Sequence, residues 1–393
     1  MKKRLDQSVL RINPRVKTGY YSDKYFNRTK DILESDNHHP ILKMQIFQRN
    51  KNACVCGIDE AIEVLRLSLG SDFNKLTIKA LHDGDIINAW ESVMTIEGDY
   101  SLFAHLETVY LGALARGTKV ATNVYRCVEA ANGKPVLFFP ARFDSYLVQA
   151  KDGYSYSVGM LAAGTKGGIV STDAQGEWWG AQGSGTMPHG LIAAYNGNTV
   201  KAALKFCEYT DINIKRIVLV DFDNDCVKTA VDVAQAMFEK YKLTKDERYK
   251  LTAVRLDTSG TMVDKSIRIN MDVSEYLGSF KPTGVNPLLV INVKTALIDL
   301  AIDAKDKEER KFYRDIGVVV SGGFNPEKIK MFEGAGSPSV GSYVMAYGVG
   351  SSLFGGNFDF TADIVQRYEN GKWIHNAKKG RTCFNEPKLE IVK

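Results

Sequence analysis

Apolar positions along this chain follow two different rhythms. In the first hundred residues Ile58, Ala61, Ile62, Leu65 and Leu69 keep the three-and-four spacing of one helix face. Short apolar runs at 76–78 and 93–96 predict strands there, so the region reads as mixed α+β. A longer helical pattern covers 102–131 through Leu106, Val109, Ala113 and Val120, with Gly112 and Gly117 expected to weaken or break it. The second half is different. Four β-rich runs, 217–220, 252–256, 316–320 and 343–347, are mostly separated by helical stretches at 227–240, 287–302 and 326–332. Strand alternating with helix implies parallel strands covered by helices, and so an α/β barrel.

Each of these four strands runs into a polar or glycine-rich cluster: Asp221-Phe222-Asp223, Asp257-Thr258-Ser259-Gly260, Ser321-Gly322-Gly323 and Gly348-Val349-Gly350-Ser351-Ser352. In a parallel barrel all four fall on the mouth where active sites are built. The glycines follow the last two strands, where backbone N–H groups commonly hold a phosphate. Taken singly, each glycine cluster is more often a turn, and Asp257 alone could be a helix cap. Their placement on consecutive strands points instead to a barrel enzyme acting on a phosphorylated compound.

Composition narrows the field without naming a reaction. At 393 residues the chain is too long for one small core and implies two domains, or a barrel with a large appendage. A net charge of +5, with basic residues scattered except at 378–381, argues against a nucleic-acid binder and suits a small anionic substrate. The basic start at 1–4 is followed by no apolar run of signal length, and the longest apolar stretch, 287–302, is broken by Asn292, Lys294 and Asp299. Cys54 and Cys56 form a lone C-x-C among six cysteines, so no zinc and no disulfide framework is expected. A reducing, cytoplasmic setting is the expectation. One stretch, Gly183-Ser184-Gly185-Thr186-Met187-Pro188-His189-Gly190, leaves three options open for its histidine: metal ligand, catalytic base or turn residue.

Six segments, in order from Tyr25 to Gly350, carry a resemblance. They are Ser22-Asp23-Lys24-Tyr25-Phe26-Asn27-Arg28-Thr29, Ile96-Glu97-Gly98-Asp99-Tyr100 leading into Leu106-Glu107-Thr108, Gly185-Thr186-Met187-Pro188-His189, Val254-Arg255-Leu256-Asp257-Thr258, Val320-Ser321-Gly322-Gly323 and Tyr347-Gly348-Val349-Gly350. The chain resembles the nicotinate phosphoribosyltransferases, among the type II phosphoribosyltransferases that also act on nicotinamide and quinolinate. The resemblance implies an irregular α/β barrel (116–360) behind an N-terminal α/β (α+β) domain (1–115), with the tail 361–393 packing back on the latter. It implies a head-to-tail homodimer with shared active sites, binding only small molecules, neither nucleic acid nor membrane. The implied reaction joins nicotinate to phosphoribosyl pyrophosphate, giving nicotinate mononucleotide and pyrophosphate with Mg²⁺ and with ATP as co-substrate, in NAD biosynthesis.

The same resemblance assigns roles. Tyr25 stacks on the pyridine ring across the dimer, and Phe139 offers the other stacking face. Arg142 contacts phosphate or pyrophosphate. The family's F-G-x-R-R pattern is altered here, with Pro140 for the glycine and Phe143 for the second arginine. Thr186 lies beside the base and Arg255 pairs with its carboxylate, while Lys166, in Gly164-Thr165-Lys166-Gly167-Gly168, would favour a carboxylate over an amide. Asp257 accepts from the ribose hydroxyls, and Asp221 serves the sugar or Mg²⁺, with Asp223 a second candidate. Ser321, Gly322, Gly323, Gly348, Gly350 and Ser351 cradle the 5′-phosphate. His189 becomes the residue that ATP phosphorylates. The competing expectations are the same fold acting on nicotinamide, quinolinate or another pyridine, and a non-catalytic homologue that binds phosphorylated metabolites.

Overall fold

The computed structural model describes residues 4–267, 280–335, 340–384, 386 and 388–392; Lys2 and Lys3 of the basic start lie outside them. Two six-stranded sheets organise the fold. The first is built on β1 (Ile41–Gln48), β2 (Thr77–Ala80) and β3 (Ser92–Asp99), preceded by helix α1 (Lys24–Ser35). Helix α2 (Ile58–Leu69) contributes Ile58, Ala61, Ile62 and Leu65 to its core, the face that the spacing predicts.

Helix α3 (Glu107–Ala130) leads from this sheet into the barrel. The pattern over 102–131 thus resolves into a short opening turn and one helix that Gly112 and Gly117 do not break. Gly117 serves contact: a Cβ there would sit 2.6 Å from the Cys56 carbonyl oxygen, so the missing side chain lets two backbones touch. The packing outweighs the helix propensity lost, about 1 kcal/mol.

The second sheet comprises β4 (Val136–Phe138), β5 (Ile169–Val170), β6 (Ile217–Leu219), β7 (Ala253–Leu256), β8 (Gly317–Val320) and β9 (Val344–Val349). Its order is β5-β4-β9-β8-β7-β6, and every pairing is parallel. Helices α4 (Gln149–Ala162), α5 (His189–Ala194), α6 (Thr199–Tyr209), α7 (Cys226–Thr244), α8 (Pro287–Ile302), α9 (Lys307–Arg314) and α10 (Pro326–Gly334) connect the strands. The sheet curls without closing, so β5 and β6 leave a seam. A single parallel bridge, Val170 to Gly183, lays the 183–190 segment along that open edge.

After β9 the chain returns to the first sheet with β10 (Phe360–Glu369), β11 (Lys372–His375) and β12 (Glu390–Ile391). The order there is β11-β10-β1-β3-β2-β12, antiparallel throughout. Cys54 and Cys56 are buried free thiols. Among the described residues no helix is long and apolar enough to cross a membrane.

Candidate active site

Side chains alternate across a strand, so each barrel strand sends one set to the helices and the other into the barrel. On β7 Val254 and Leu256 join the core under the helices, which turns Ala253, Arg255 and Asp257 inward. On β8 the same period turns Val319 and Ser321 inward, and on β9 Ala346, Gly348 and Gly350. Leu137, Ile217, Ala253, Val319 and Ala346 form the apolar floor, with Phe139 packed on it. Above that floor lies a cavity of about 780 Å³, lined by Phe139, Arg142, Thr186, His189, Arg255, Asp257 and the glycine loops after β8 and β9.

Arg255 is the charged centre of this cavity. Its Nη1 donates to Thr186 Oγ1 at 2.7 Å, and its nearest carboxylate, Asp257, stands at 3.6 Å. Among the described residues its buried Nε has no hydrogen-bond partner, an orphaned donor in a polar cavity. Burial pulls the guanidinium below its usual range, and the charges of Asp257 and Asp221 oppose the fall. The Phe139 ring centre lies 5.7 Å from the guanidinium carbon, placing a flat apolar face beside the cation. Asp257 is held from its other side by Ser321, whose hydroxyl donates to Oδ1 at 2.9 Å.

His189 closes the seam of the barrel. It opens α5, and its Nε2–H donates to Asp221 Oδ1 at 2.9 Å, so one side chain from the β5 edge is tied to one from the end of β6. Asp221 is only 6% exposed at its side chain against 44% for His189. Burial raises the Asp221 carboxyl, and the histidine beside it works against that rise. In a neutral imidazole, an engaged Nε2–H leaves the lone pair on Nδ1.

The two glycine loops supply donors. Gly322 and Gly323 hold φ of +86° and +69°, the left-handed region that glycine adopts without strain. Among the described residues the N–H groups of Gly322, Gly323, Gly350 and Ser351 have no hydrogen-bond partner, and all four residues line the cavity. Ser352 ties the loops together by donating to the Phe324 carbonyl at 2.6 Å. A Cβ on Gly348 would meet the Phe139 ring at 2.8 Å, so the glycine is what lets that ring lie over the floor.

The structure therefore brings together Phe139, Arg142, Thr186, His189, Arg255, Asp257, Ser321, Gly322, Gly323, Gly348, Gly350 and Ser351, with Asp221 bonded to His189. Three candidates stay apart from them. Lys166 is exposed on the α4–β5 connection and does not line the cavity, and Tyr25 projects from α1, 59% exposed. Asp223 is exposed just past Asp221. Phe143, standing where the resemblance leads one to expect a second arginine, packs over Gly350, whose Cβ would lie 2.8 Å from its ring. Sequence reasoning passed over Asn325 and Lys328. Asn325 lines the cavity and caps α10; the only signal was the Asn-Pro pair opening a helix right after the glycines.

Residues 23–118 match the family model described as quinolinate phosphoribosyl transferase, N-terminal domain. Among solved structures, nicotinate-nucleotide pyrophosphorylase from Pyrococcus furiosus is similar at 28% identity and a TM-score of 0.72, over 98% of this chain and 85% of that one. NadC from Streptococcus pyogenes is similar at 17% identity and a TM-score of 0.56, over 92% and 98% of the two chains. Human nicotinic acid phosphoribosyltransferase gives 14% and 0.58, over 88% and 74%. At such identities these last two speak for the fold alone.

Proposed function

From the premise that this chain belongs to the type II phosphoribosyltransferases, we propose that it joins nicotinate to phosphoribosyl pyrophosphate. The observation that carries the choice of base is Arg255: one largely buried cation with a free Nε, beside Thr186 and the Phe139 ring. That set suits a flat aromatic ring bearing one carboxylate. In the reaction the pyridine nitrogen attacks ribose C1 with its lone pair. The C1–O bond breaks, and pyrophosphate departs with the electron pair. No proton moves, so no general base is required.

What this chain supplies is positioning and fixed charge. Asp257 faces the ribose as positive charge builds on its ring, while the free N–H groups of Gly322, Gly323, Gly350 and Ser351 receive the 5′-phosphate. Arg142 draws the leaving pyrophosphate. Among the described residues no group of three metal-ligating side chains is assembled, but Mg²⁺ commonly takes one or two carboxylates plus substrate phosphates. Asp221 and Asp257 fit that role as hard oxygen donors, and the ion would neutralise charge on pyrophosphate. His189, with Nδ1 free, is the acceptor for the phosphoryl group of ATP: an N–P bond forms, ADP leaves, and later hydrolysis of that bond drives nucleotide formation. Tyr25, exposed on α1, serves the site of a second copy.

A second reading, quinolinate, is favoured by the family match over 23–118 and by a second cation, Arg142, on the cavity wall. Both are tested together by supplying phosphoribosyl pyrophosphate, Mg²⁺ and each base, with and without ATP. The expected result is pyrophosphate release with nicotinate, enhanced by ATP in the native protein but not in His189→Ala. Release only with quinolinate or only with nicotinamide would sink the nicotinate reading, and none with any base would favour a non-catalytic phosphometabolite binder.

A further inference from the structure

We infer that Lys328 is a positioning residue for the substrate phosphate: seated behind the β8 loop, its ammonium holds the Gly322–Gly323 peptide with the N–H turned to the cavity and adds a positive charge beneath it. The inference rests on reading the cavity as a phosphoribosyl site. It begins with a lysine in the wrong company. Most helical lysines here with a carboxylate three or four residues away pair with it, as Lys228 does with Asp232 and Lys311 with Asp315. Four residues beyond Lys328 stands Phe332, itself buried. The ammonium lies 4.3 Å from the Phe324 ring centre and 5.8 Å from that of Phe332. No carboxylate among the described residues pairs with it, and its one hydrogen bond is donated to the Gly322 carbonyl at 3.3 Å. Burial alone pulls its pKa down to about 8.

A part-buried cation without a counter-ion is costly, and folding alone does not explain its retention under two rings. The peptide it grips offers the explanation. In a trans peptide the C=O and N–H point to opposite sides. The Gly322 oxygen faces Lys328, so the Gly323 N–H faces the other way, and Gly323 lines the cavity with that N–H unpartnered. A cation on the carbonyl polarises the peptide and strengthens its N–H as a donor. The Asn325 cap fixes the root of the side chain, accepting the Lys328 N–H at 2.7 Å. A phosphate dianion on the cavity side completes the arrangement: anion, peptide dipole, cation.

The test uses the full-length protein with Lys328→Met, Lys328→Gln and Lys328→Arg. Two quantities are measured: steady-state constants with nicotinate, and calorimetric affinity for ribose 5-phosphate. Losing a charge-assisted contact should weaken ribose 5-phosphate and raise the KM for phosphoribosyl pyrophosphate by about tenfold or more in Met and Gln. Turnover at saturation and the KM for nicotinate should stay within about threefold, and Arg should restore most of the loss. Native affinity in either uncharged variant overturns the inference, as does an Arg variant no better than Met. Gln keeps a donor to the Gly322 carbonyl, so it reads the charge if Met fails to fold. If no base releases pyrophosphate yet ribose 5-phosphate affinity still follows the charge at 328, the transferase reading fails and this one stands. The reverse pattern separates them the other way.

Discussion

Asp257→Asn should lower turnover by about 100- to 1000-fold while leaving the fold intact, a loss of about 2.7–4 kcal/mol of transition-state stabilisation. The substitution keeps shape and acceptor: the amide oxygen can still take the hydrogen bond from Ser321 that holds Oδ1 at 2.9 Å. On the proposed reading, what disappears is negative charge at the place where ribose becomes cationic. The same change removes the counter-charge 3.6 Å from Arg255, so the base end of the site feels it as well. Because the charge matters more in the transition state than in the ground state, the effect should fall on kcat, with the KM for phosphoribosyl pyrophosphate moving much less. Asp257 is part-exposed at the mouth, braces no core and stands 3.6 Å from Arg255, so losing that counter-charge should lower the melting temperature only modestly while the chain still folds. A kcat close to that of the native protein would refute its role at the ribose.

Arg255→Met makes the opposite case, a substitution expected to harm function and spare stability. The guanidinium is largely buried, its Nε has no partner among the described residues, and its ion pair with Asp257 is long. Removing an imperfectly paired buried charge in favour of an apolar chain of similar length is often neutral or stabilising. Binding should suffer all the same. A hydrogen bond to a charged group contributes about 1.5–3 kcal/mol, so nicotinate affinity should fall by about 10- to 100-fold. Nicotinamide, with no carboxylate to lose, should be affected far less. Arg255→Lys should recover little, because a point charge cannot reproduce a planar fork that holds Thr186 and, on the proposed reading, takes the nicotinate carboxylate as well. Base kinetics and thermal melts on the same preparations check both halves. A destabilised Met variant with native base selectivity would contradict the assignment.

These two residues also show how far the sequence could be read. Parallel strands buried on both faces leave near-continuous apolar runs, which is why 217–220, 252–256 and 316–320 stood out as strands. Arg255 interrupts one such run, and a charge inside an apolar strand already demanded an anionic neighbour. The glycine loops were legible because they recur at strand ends. Other features left no local trace. Strands β4 and β5 span three and two residues, too few for any period to register. The first sheet joins β1 to β10 across most of the chain, a pairing that no window of sequence contains. The His189–Asp221 contact depends on where the open edge of the sheet falls, and Lys328 reads as a solvent-facing helix residue until Phe324 and Phe332 close around it. Lys166 illustrates the converse: the resemblance assigns it to the base, and the fold carries it to the surface, outside the lining of the cavity.

The proposed chemistry requires one direction of the ligand in the cavity, phosphate on the glycine loops and base on Arg255. A crystal structure with nicotinate mononucleotide bound measures it. The phosphate oxygens should lie within hydrogen-bonding distance of the Gly323 and Gly350 N–H groups, the carboxylate on Arg255 Nε, and the ring stacked on Phe139. In a dimer, Tyr25 of the second copy should cover the ring's other face. A phosphate seated on Arg255 and Thr186, with the ring turned toward the glycines, would contradict it.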